Sequence, residues 1–352
     1  MITPPSTTRP LVSVIILNYN GKDWLERCLS SLRSQTIYQQ LEIIVADNAS
    51  PDKSDLFAAS LMHDWENGRV IQHGSNLGFC EGNNRAARQT NGEFYFFLNN
   101  DTWLEPDCLE ILVRETNRSG AQASTPLMLN YEDNSIQSSG GGGFDIFGLM
   151  SLESPHSQTK SVFVAGGCCY LIRNELFWRL GGFDPAFFMY ADEYDLSWRV
   201  WISGYAIVSV PAARMHHRGA ANVNPTGGTQ ITEVRTSEMK RFYTNRNCLM
   251  LVLKNCQHIL LFMLPLQLLL LGAEACLCLL VYRRWSFIKK SYLDALAACW
   301  KLHPHIKRQR QQIKAFRQRN DWQMLRFLRW RLNRWDEFLN LRKHGMPKVA
   351  SR

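Results

Sequence analysis

The sequence predicts an α/β fold, a mostly parallel sheet flanked by helices, followed by a helical C-terminal region. Three observations carry this. Strand-like and helix-like patterns alternate over roughly the first 220 residues, as they do when parallel strands are joined by crossover helices. Several strands end abruptly in clusters of Asn, Asp and Gly, the composition expected where an open sheet offers its carboxyl edge to a ligand. Beyond about residue 240 the alternation stops, and long apolar and basic stretches replace it.

Residues 11–17 are apolar and rich in β-branched side chains, a buried strand. Residues 23–34 set Trp24, Leu25, Cys28, Leu29 and Leu32 on one helical face. A second strand over 41–46 ends in Asp47-Asn48-Ala49-Ser50. A helix over 53–65 and a short strand over 69–72 follow. Asn76-Leu77-Gly78 leads into a helix over 79–89. Residues 94–98, Phe-Tyr-Phe-Phe-Leu, form the next strand and stop at Asn99-Asn100-Asp101. Thr102 and Pro106 then open a helix. Residues 131–160 are rich in Ser and Gly and read as a mobile loop. Strand character returns over 161–172, a helix is expected over 192–203, and a closing strand over 206–210.

Residues 259–282 are largely Leu and long enough to span a bilayer, but Pro265, Gln267, Gly272 and Glu274 interrupt them. A kinked or interfacial segment and a buried core helix are both compatible with this pattern. From Arg283 to Arg352 nineteen Lys/Arg stand against four Asp/Glu, a local balance of +15 in a chain whose total is +9. A mildly acidic body with a basic tail points to a tail that meets phosphate. Between residues 301 and 334 basic side chains interleave with Phe, Trp and Leu, as on a membrane-surface helix. No nucleic-acid-binding fold signature accompanies them, so no nucleic-acid partner is expected. The expected organisation is a disordered N-terminus (1–10), an α/β domain (11–250) and a helical, basic and apolar, membrane-associated tail (251–352). Residues 1–10 are polar and lack the apolar core of a secretory signal. The ten Cys show no metal-type spacing and are expected to be reduced thiols.

Four clusters fall at strand ends or helix starts. They are Leu17-Asn18-Tyr19-Asn20-Gly21, Asp47-Asn48-Ala49-Ser50, Asn76-Leu77-Gly78-Phe79 with Asn83 and Asn84, and Asn99-Asn100-Asp101. In an open α/β sheet these groups line one crevice. They supply amides and a carboxylate for a base and ribose, and oxygens for a hard divalent cation beside a phosphate. No G-x-G-x-x-G opens the first helix and no Walker lysine is present, which argues against a dinucleotide fold or a P-loop.

The order and spacing of these segments resemble family 2 glycosyltransferases with the GT-A fold, and within them the bacterial rhamnosyltransferase-like branch that builds surface polysaccharides. The likeness rests on Val12-Ser-Val-Ile-Ile-Leu-Asn-Tyr-Asn-Gly21, Ile44-Val-Ala-Asp-Asn-Ala-Ser50, Asn76-Leu-Gly-Phe79 and Phe97-Leu-Asn-Asn-Asp-Thr102. It continues in Gly181-Gly-Phe-Asp-Pro-Ala-Phe-Phe-Met-Tyr190 and Asp195-Leu-Ser-Trp-Arg199, and covers roughly residues 11–250. The resemblance implies donor binding by Leu17, Asn18, Tyr19, Asn20, Asp47, Asn48, Asn76, Gly78, Asn83, Asn99 and Asn100, with Asp47 reading the base and ribose. Asp101 matches the family's metal-binding Asp, and Asn99 stands where many relatives carry a first Asp. His217, with His216 second, falls where the family places a metal- or diphosphate-contacting His. Mg²⁺ or Mn²⁺ suits such oxygen ligands. Gly166, Gly167, Cys168 and Tyr190 fall at the acceptor pocket. The stretch Met189-Tyr-Ala-Asp-Glu-Tyr-Asp195 matches the catalytic acidic motif. Relatives usually read Glu-Asp there and this chain reads Asp192-Glu193, so Glu193 is the base by position and Asp192 the alternative. Crowding of Asp192, Glu193 and Asp195 is expected to raise at least one pKa. Arg246, in a basic-aromatic stretch, is a candidate contact for a lipid or acceptor phosphate or a surface ion pair.

The implied function is metal-dependent, inverting transfer of a sugar from a nucleotide-sugar donor. dTDP-rhamnose is favoured and UDP-hexose second. The acceptor is a hydroxyl of a glycan or lipid-linked glycan at the cytoplasmic face of the inner membrane, with the protein peripheral or monotopic. The alternative is a non-catalytic nucleotide-sugar-binding scaffold of a membrane-bound assembly complex, kept open by the reversed acidic pair and the missing first Asp. A processive synthase is disfavoured, since there is no Gln-x-x-Arg-Trp element and no multi-span channel.

Overall fold

A computed structural model describes residues 9–219, 235–345 and 347–349. Residues 1–8, most of the expected disordered N-terminus, lie outside the described residues. The strands, in chain order, are β1 (Val12–Asn18), β2 (Leu41–Asp47), β3 (Gly68–Gln72), β4 (Phe94–Asn99), β5 (Thr102–Leu104), β6 (Ala123–Asn130), β7 (Ile136–Ser138), β8 (Gly141–Phe144), β9 (Met150–Leu152), β10 (Lys160–Ser161), β11 (Cys169–Arg173) and β12 (Ile207–His217). The helices that position the site are α1 (Lys22–Arg33), α2 (Ser54–Leu61), α3 (Gly78–Ala87), α4 (Cys108–Ser119), α5 (Asn174–Arg179), α6 (Asp192–Ile202), α7 (Glu238–Asn255) and α8 (Met263–Tyr282).

The sheet runs β10-β12-β6-β11-β4-β1-β2-β3. It is mixed rather than mostly parallel. β1, β2, β3 and β4 pair in parallel, but β11 runs antiparallel between β4 and β6. The strands read as unbroken apolar runs because both faces are covered. Ile15, Tyr95 and Phe97 enter one buried cluster, while Val14, Ile16, Phe96 and Leu98 enter the other. The alternation is the two-residue period of a strand with helices on each side.

Three stretches differ from the expectation. Thr102 opens a short strand, and the helix starts only at Cys108. Thr102–Leu104 pairs antiparallel with the end of β12, setting Thr102 opposite His217. The closing strand does not stop at Val210: it bulges between Val210 and Arg214 and runs on to His217. Pro211, which lacks a ladder N–H, sits in that bulge. Residues 131–160 are not a plain loop. They fold into β7, β8 and β9, and Gly141–Phe144 is buried.

The C-terminal helices share the sheet's core. Leu249–Val252 of α7, Phe287, Ile306 and Phe327 join the same buried cluster as Ile15. Three arginines of this region are spent on helix C-termini. Arg310 and Arg317 donate to the carbonyls of Leu253, Cys256 and Asn255 at the end of α7. Arg319 donates to Trp201, Gly204 and Tyr205 at the end of α6. Guanidinium groups there satisfy carbonyls that the helix leaves open. The expected surface helix over 301–334 is thus partly a clamp. α8 differs: Leu268, Leu269, Leu277, Leu280 and Val281 are exposed. It is long and apolar enough to cross a membrane, and most of it lies outside the core.

Candidate active site

A cavity of about 460 Å³ opens between the carboxyl ends of β4 and β12, the turn before β11, and the start of α6. Asn99, His217, Gly166, Gly167, Cys168, Tyr190, Asp192 and Glu193 all line it. All eight were expected at a metal, acceptor or catalytic site, and Asn99 at the donor site as well. Met128, Gln137, Met150, Leu152 and Val164 complete its wall, and none of these was expected. Met128 comes from β6, Gln137, Met150 and Leu152 from the segment read as a loop, and Val164 from the stretch read as a strand.

Asp101 is not in the lining but is joined to it through His217, whose Nε2 lies 3.4 Å from Asp101 Oδ1. The pairing of β5 with β12 creates this contact. His217 Nδ1 faces Gln137 Oε1 at 2.8 Å. Gln137 Nε2 donates to Asn130 Oδ1, which fixes the amide so that its oxygen accepts from the imidazole N–H. Nε2 then faces the Asp101 carboxylate oxygen. Asp101 is poised to stay ionised. Burial opposes its charge, but the His217 imidazole and backbone N–H groups outweigh that and hold its pKa below the usual range. Among the described residues no group of three or more His, Cys, Asp or Glu is placed to hold a metal. Asp101 and His217 form a pair, with the amide of Asn99 at the same strand ends. His216 points elsewhere: it stacks on Trp103 at 3.6 Å and its Nε2 lies 3.5 Å from Glu105.

Asp192 and Glu193 begin α6, where the helix dipole favours negative charge. Both nonetheless resist ionisation. Burial, then the charge of Glu193, pushes Asp192 well above the ordinary carboxylate range. Burial raises Glu193 as well. Two adjacent carboxyls in a dry site do not both ionise readily. Gly167 leaves room for Glu193: a Cβ there would come within 3.2 Å of its carboxyl carbon.

The expected donor residues form a second cluster at the same edge of the sheet. Asn18 donates to Asp47 Oδ1 at 2.8 Å and to Ser54 Oγ at 2.7 Å, and accepts from Asn100 at 2.8 Å. Asp47 is buried, and its oxygens already accept from Asn18, Ser50 Oγ and Ser50 N–H. Here it shapes the loop rather than standing open. Asn48 reaches Asn76 Oδ1 and the Gly78 carbonyl. Asn83 donates back to Phe79 within α3. Tyr19 is half exposed, Asn20 is exposed in a left-handed conformation, and Leu17 packs where Gly82 leaves space. Of the expected donor residues only Asn99 lines the cavity, and Phe79 lines it as well. Arg246 is not a surface residue. It donates to the carbonyls of Ala186 at 2.6 Å and Phe187 at 3.0 Å, so its role here is to brace the loop before α6.

Residues 13–181 match the sequence model of Glycosyl transferase family 2. The chain is 28% identical over 235 residues to the O-antigen biosynthesis protein RfbC of Myxococcus xanthus, covering 62% of this chain and 18% of that protein. It is 25% identical over 238 residues to an N-acetylglucosaminyl-diphospho-decaprenol L-rhamnosyltransferase of Mycobacterium tuberculosis, covering 59% of this chain and 76% of that one. Its fold resembles that of the mannosyltransferase PcManGT from Pyrobaculum calidifontis, solved with GDP-Man and Mn²⁺, with a TM-score of 0.51, 16% identity, and 90% and 87% of the two chains covered. The mixed sheet flanked by helices is consistent with a GT-A-like fold, and the segment 13–181 is similar in sequence to glycosyl transferase family 2.

Proposed function

We propose that the protein transfers a sugar, with inversion, from a nucleotide-sugar to a hydroxyl of a glycan or lipid-linked glycan. The observation that carries this reading is one cavity bordered by both Glu193 and His217, the latter lying against Asp101 behind the lining. Such a cavity can hold an acceptor hydroxyl on the acid side and a diphosphate on the other. Glu193 accepts the hydroxyl proton as the acceptor oxygen attacks the anomeric carbon in line. Burial raises both acids, and Glu193, which falls at the family's base position, takes that role, with Asp192 the alternative. Asp101 and His217 are the residues that would hold Mg²⁺ or Mn²⁺, which supplies positive charge to the leaving diphosphate. Asn18, Asp47, Asn48, Asn76 and Asn100, with their neighbours, form the rim against which the nucleoside lies. Gly166, Gly167, Cys168 and Tyr190 border the acceptor side.

dTDP-rhamnose is the favoured donor and a UDP-hexose the second. A rhamnosyltransferase among the relatives supports that order. So does an apolar wall of Met128, Met150, Leu152 and Val164, which suits a deoxy sugar's methyl group. The exposed Leu face of α8 supports peripheral or monotopic attachment to the cytoplasmic face of the inner membrane, close to a lipid-linked acceptor. On this reading residues 11–250 are the transferase domain and 251–352 the membrane-associated tail. The test is release of nucleoside diphosphate from donor plus acceptor, with and without Glu193→Gln. Turnover that Glu193→Gln lowers at least a hundredfold supports the reading. Donor binding without turnover in the unmutated protein replaces it with the scaffold.

A further inference from the structure

We propose that Asn247 is the positioning residue of the acid pair. From α7, outside the segment matched to the family, it holds the loop from which Asp192 and Glu193 enter the cavity. This rests on reading that cavity as the sugar-transfer site.

The loop before α6 is held in a conformation its own residues disfavour. Phe188, Tyr190 and Ala191 have φ of 63°, 67° and 59°. None is glycine, and left-handed backbone at three non-glycine positions among four persists only where the surroundings impose it. The surroundings here can be named carbonyl by carbonyl. Ala186 O accepts from Arg246, and Phe187 O from Arg246 and Asn247. Phe188 O accepts from the N–H groups of Phe79 and Cys80 at the start of α3. Met189 O and Tyr190 O each accept from Asn247 Nδ2 at 2.8 Å, and Phe187 O from the same nitrogen at 3.0 Å. One side-chain amide therefore meets three carbonyls within four residues. The next residue, Ala191, is the N-cap of α6, and the helix opens with Asp192 and Glu193.

An amide is the group this task requires. It must offer two N–H donors to the loop and still accept one bond from its own side. Asn247 Oδ1 accepts from Arg246 Nε at 2.9 Å, which fixes the amide so that its nitrogen faces the carbonyls. Aspartate has no donors and would set charge against three carbonyls. Leucine would leave them buried and unmet. Asn247 is fully buried and does not line the cavity, so it touches neither donor nor acceptor. Its effect reaches the reaction only through the angle at which α6 begins.

The test uses the full chain, with donor and acceptor at saturating and limiting concentrations. Asn247→Ser keeps one donor, and Asn247→Asp keeps the volume and loses both. The expected result is a fall in kcat of tenfold or more in both, with the donor KM within twofold; Asn247→Ser keeps the melting temperature within a few degrees of the unmutated protein, and Asn247→Asp, which buries charge, lowers it further. Adding Ala191→Gly to Asn247→Ser is expected to restore part of kcat, because glycine adopts that φ without constraint. A merely structural asparagine predicts no such rescue. Folded variants that turn over like the unmutated chain overturn the proposal, and so does loss of fold in both. An unmutated protein that binds donor but never turns over overturns the functional reading instead.

Discussion

Three carboxylates share the first turn of α6, and they meet opposite fates. Asp192 and Glu193 face the cavity with no cation paired to them among the described residues, and burial raises both. Asp195 lies on the other side of the same turn. Its Oδ2 accepts from Arg199 at 2.6 Å and Lys254 at 3.0 Å, and its Oδ1 from Asn255 at 2.8 Å. Lys254 also meets Asp184 at 2.7 Å, and Asp184 meets His305 at 2.9 Å. The helix dipole acts on all three acids alike, so it does not separate them. What separates them is whether the chain supplies countercharge. Where it does, the acid fastens the C-terminal helices to the sheet. Where it withholds countercharge, the acid is left able to take a proton.

The sharpest way to break this contrast is to remove one acid from each side. Glu193→Gln is expected to lower turnover by about a hundred- to ten-thousandfold, without lowering the melting temperature, because it removes a carboxyl that burial already disfavours. Calorimetry and nucleoside-diphosphate release on the same preparation check both halves. Lys254→Met is expected to do the reverse. It takes the shared cation from Asp184 and Asp195 in the core, leaving them His305 and Arg199, and losing one partner of a buried ionic group costs about 3–5 kcal/mol. Chemical denaturation reads that loss directly. A destabilised Glu193→Gln, or a fully stable Lys254→Met, would show that the two groups are not distinct.

The pH dependence of stability should carry opposite signs on the two sides. Asp192 has a raised pKa in the folded chain. As pH rises past about 3.9 the unfolded chain gives up this proton and the native one keeps it. Asp192 thus contributes a loss of stability with rising pH, and Asp192→Asn flattens it. Asp184 is the mirror case. Burial opposes its charge, but Lys254 and His305 outweigh that and hold it far below the usual range. Its contribution is present above about 3.9 and disappears as pH falls below it. Denaturation midpoints of Asp192→Asn and Asp184→Asn across the acid range test both slopes.

This contrast was only half legible in the sequence. The strands were readable because a strand covered on both faces must be apolar at every position, as residues 94–98 are. The polar strand ends were readable because they break that rule. His217 could be placed near Asp101 by resemblance, but the β5–β12 pairing that joins them was not visible, since Pro106 reads as the start of a helix. Gly140–Gly143 misled in the same way: glycine-rich text suits a loop, yet here it buries backbone against Val164 and Phe327. The ionic network was invisible for a deeper reason. Asp184, Asp195, Lys254 and His305 are scattered along the chain, and nothing in local pattern says which charges will find partners. The adjacency of Arg246 and Asn247 was the one available signal for the brace on the loop.

The smallest expected effect lies farthest from the acids. Leu269 and Leu280 of α8 are 72% and 74% exposed. Replacing either by Ser removes little that the fold uses, so stability is expected to stay within about 0.5 kcal/mol. The same exposure gives these residues most to gain from a bilayer, because each leucine transferred from water into hydrocarbon contributes about 1.5–3 kcal/mol. The double variant Leu269→Ser/Leu280→Ser is therefore expected to reduce co-sedimentation with anionic vesicles while leaving turnover on a water-soluble acceptor unchanged. Loss of turnover on the soluble acceptor would place α8 within the architecture of the site. Unchanged vesicle binding would assign attachment to the basic helices instead, and raising the salt concentration would then release the protein, since exposed charges are screened over about 10 Å at 0.1 M.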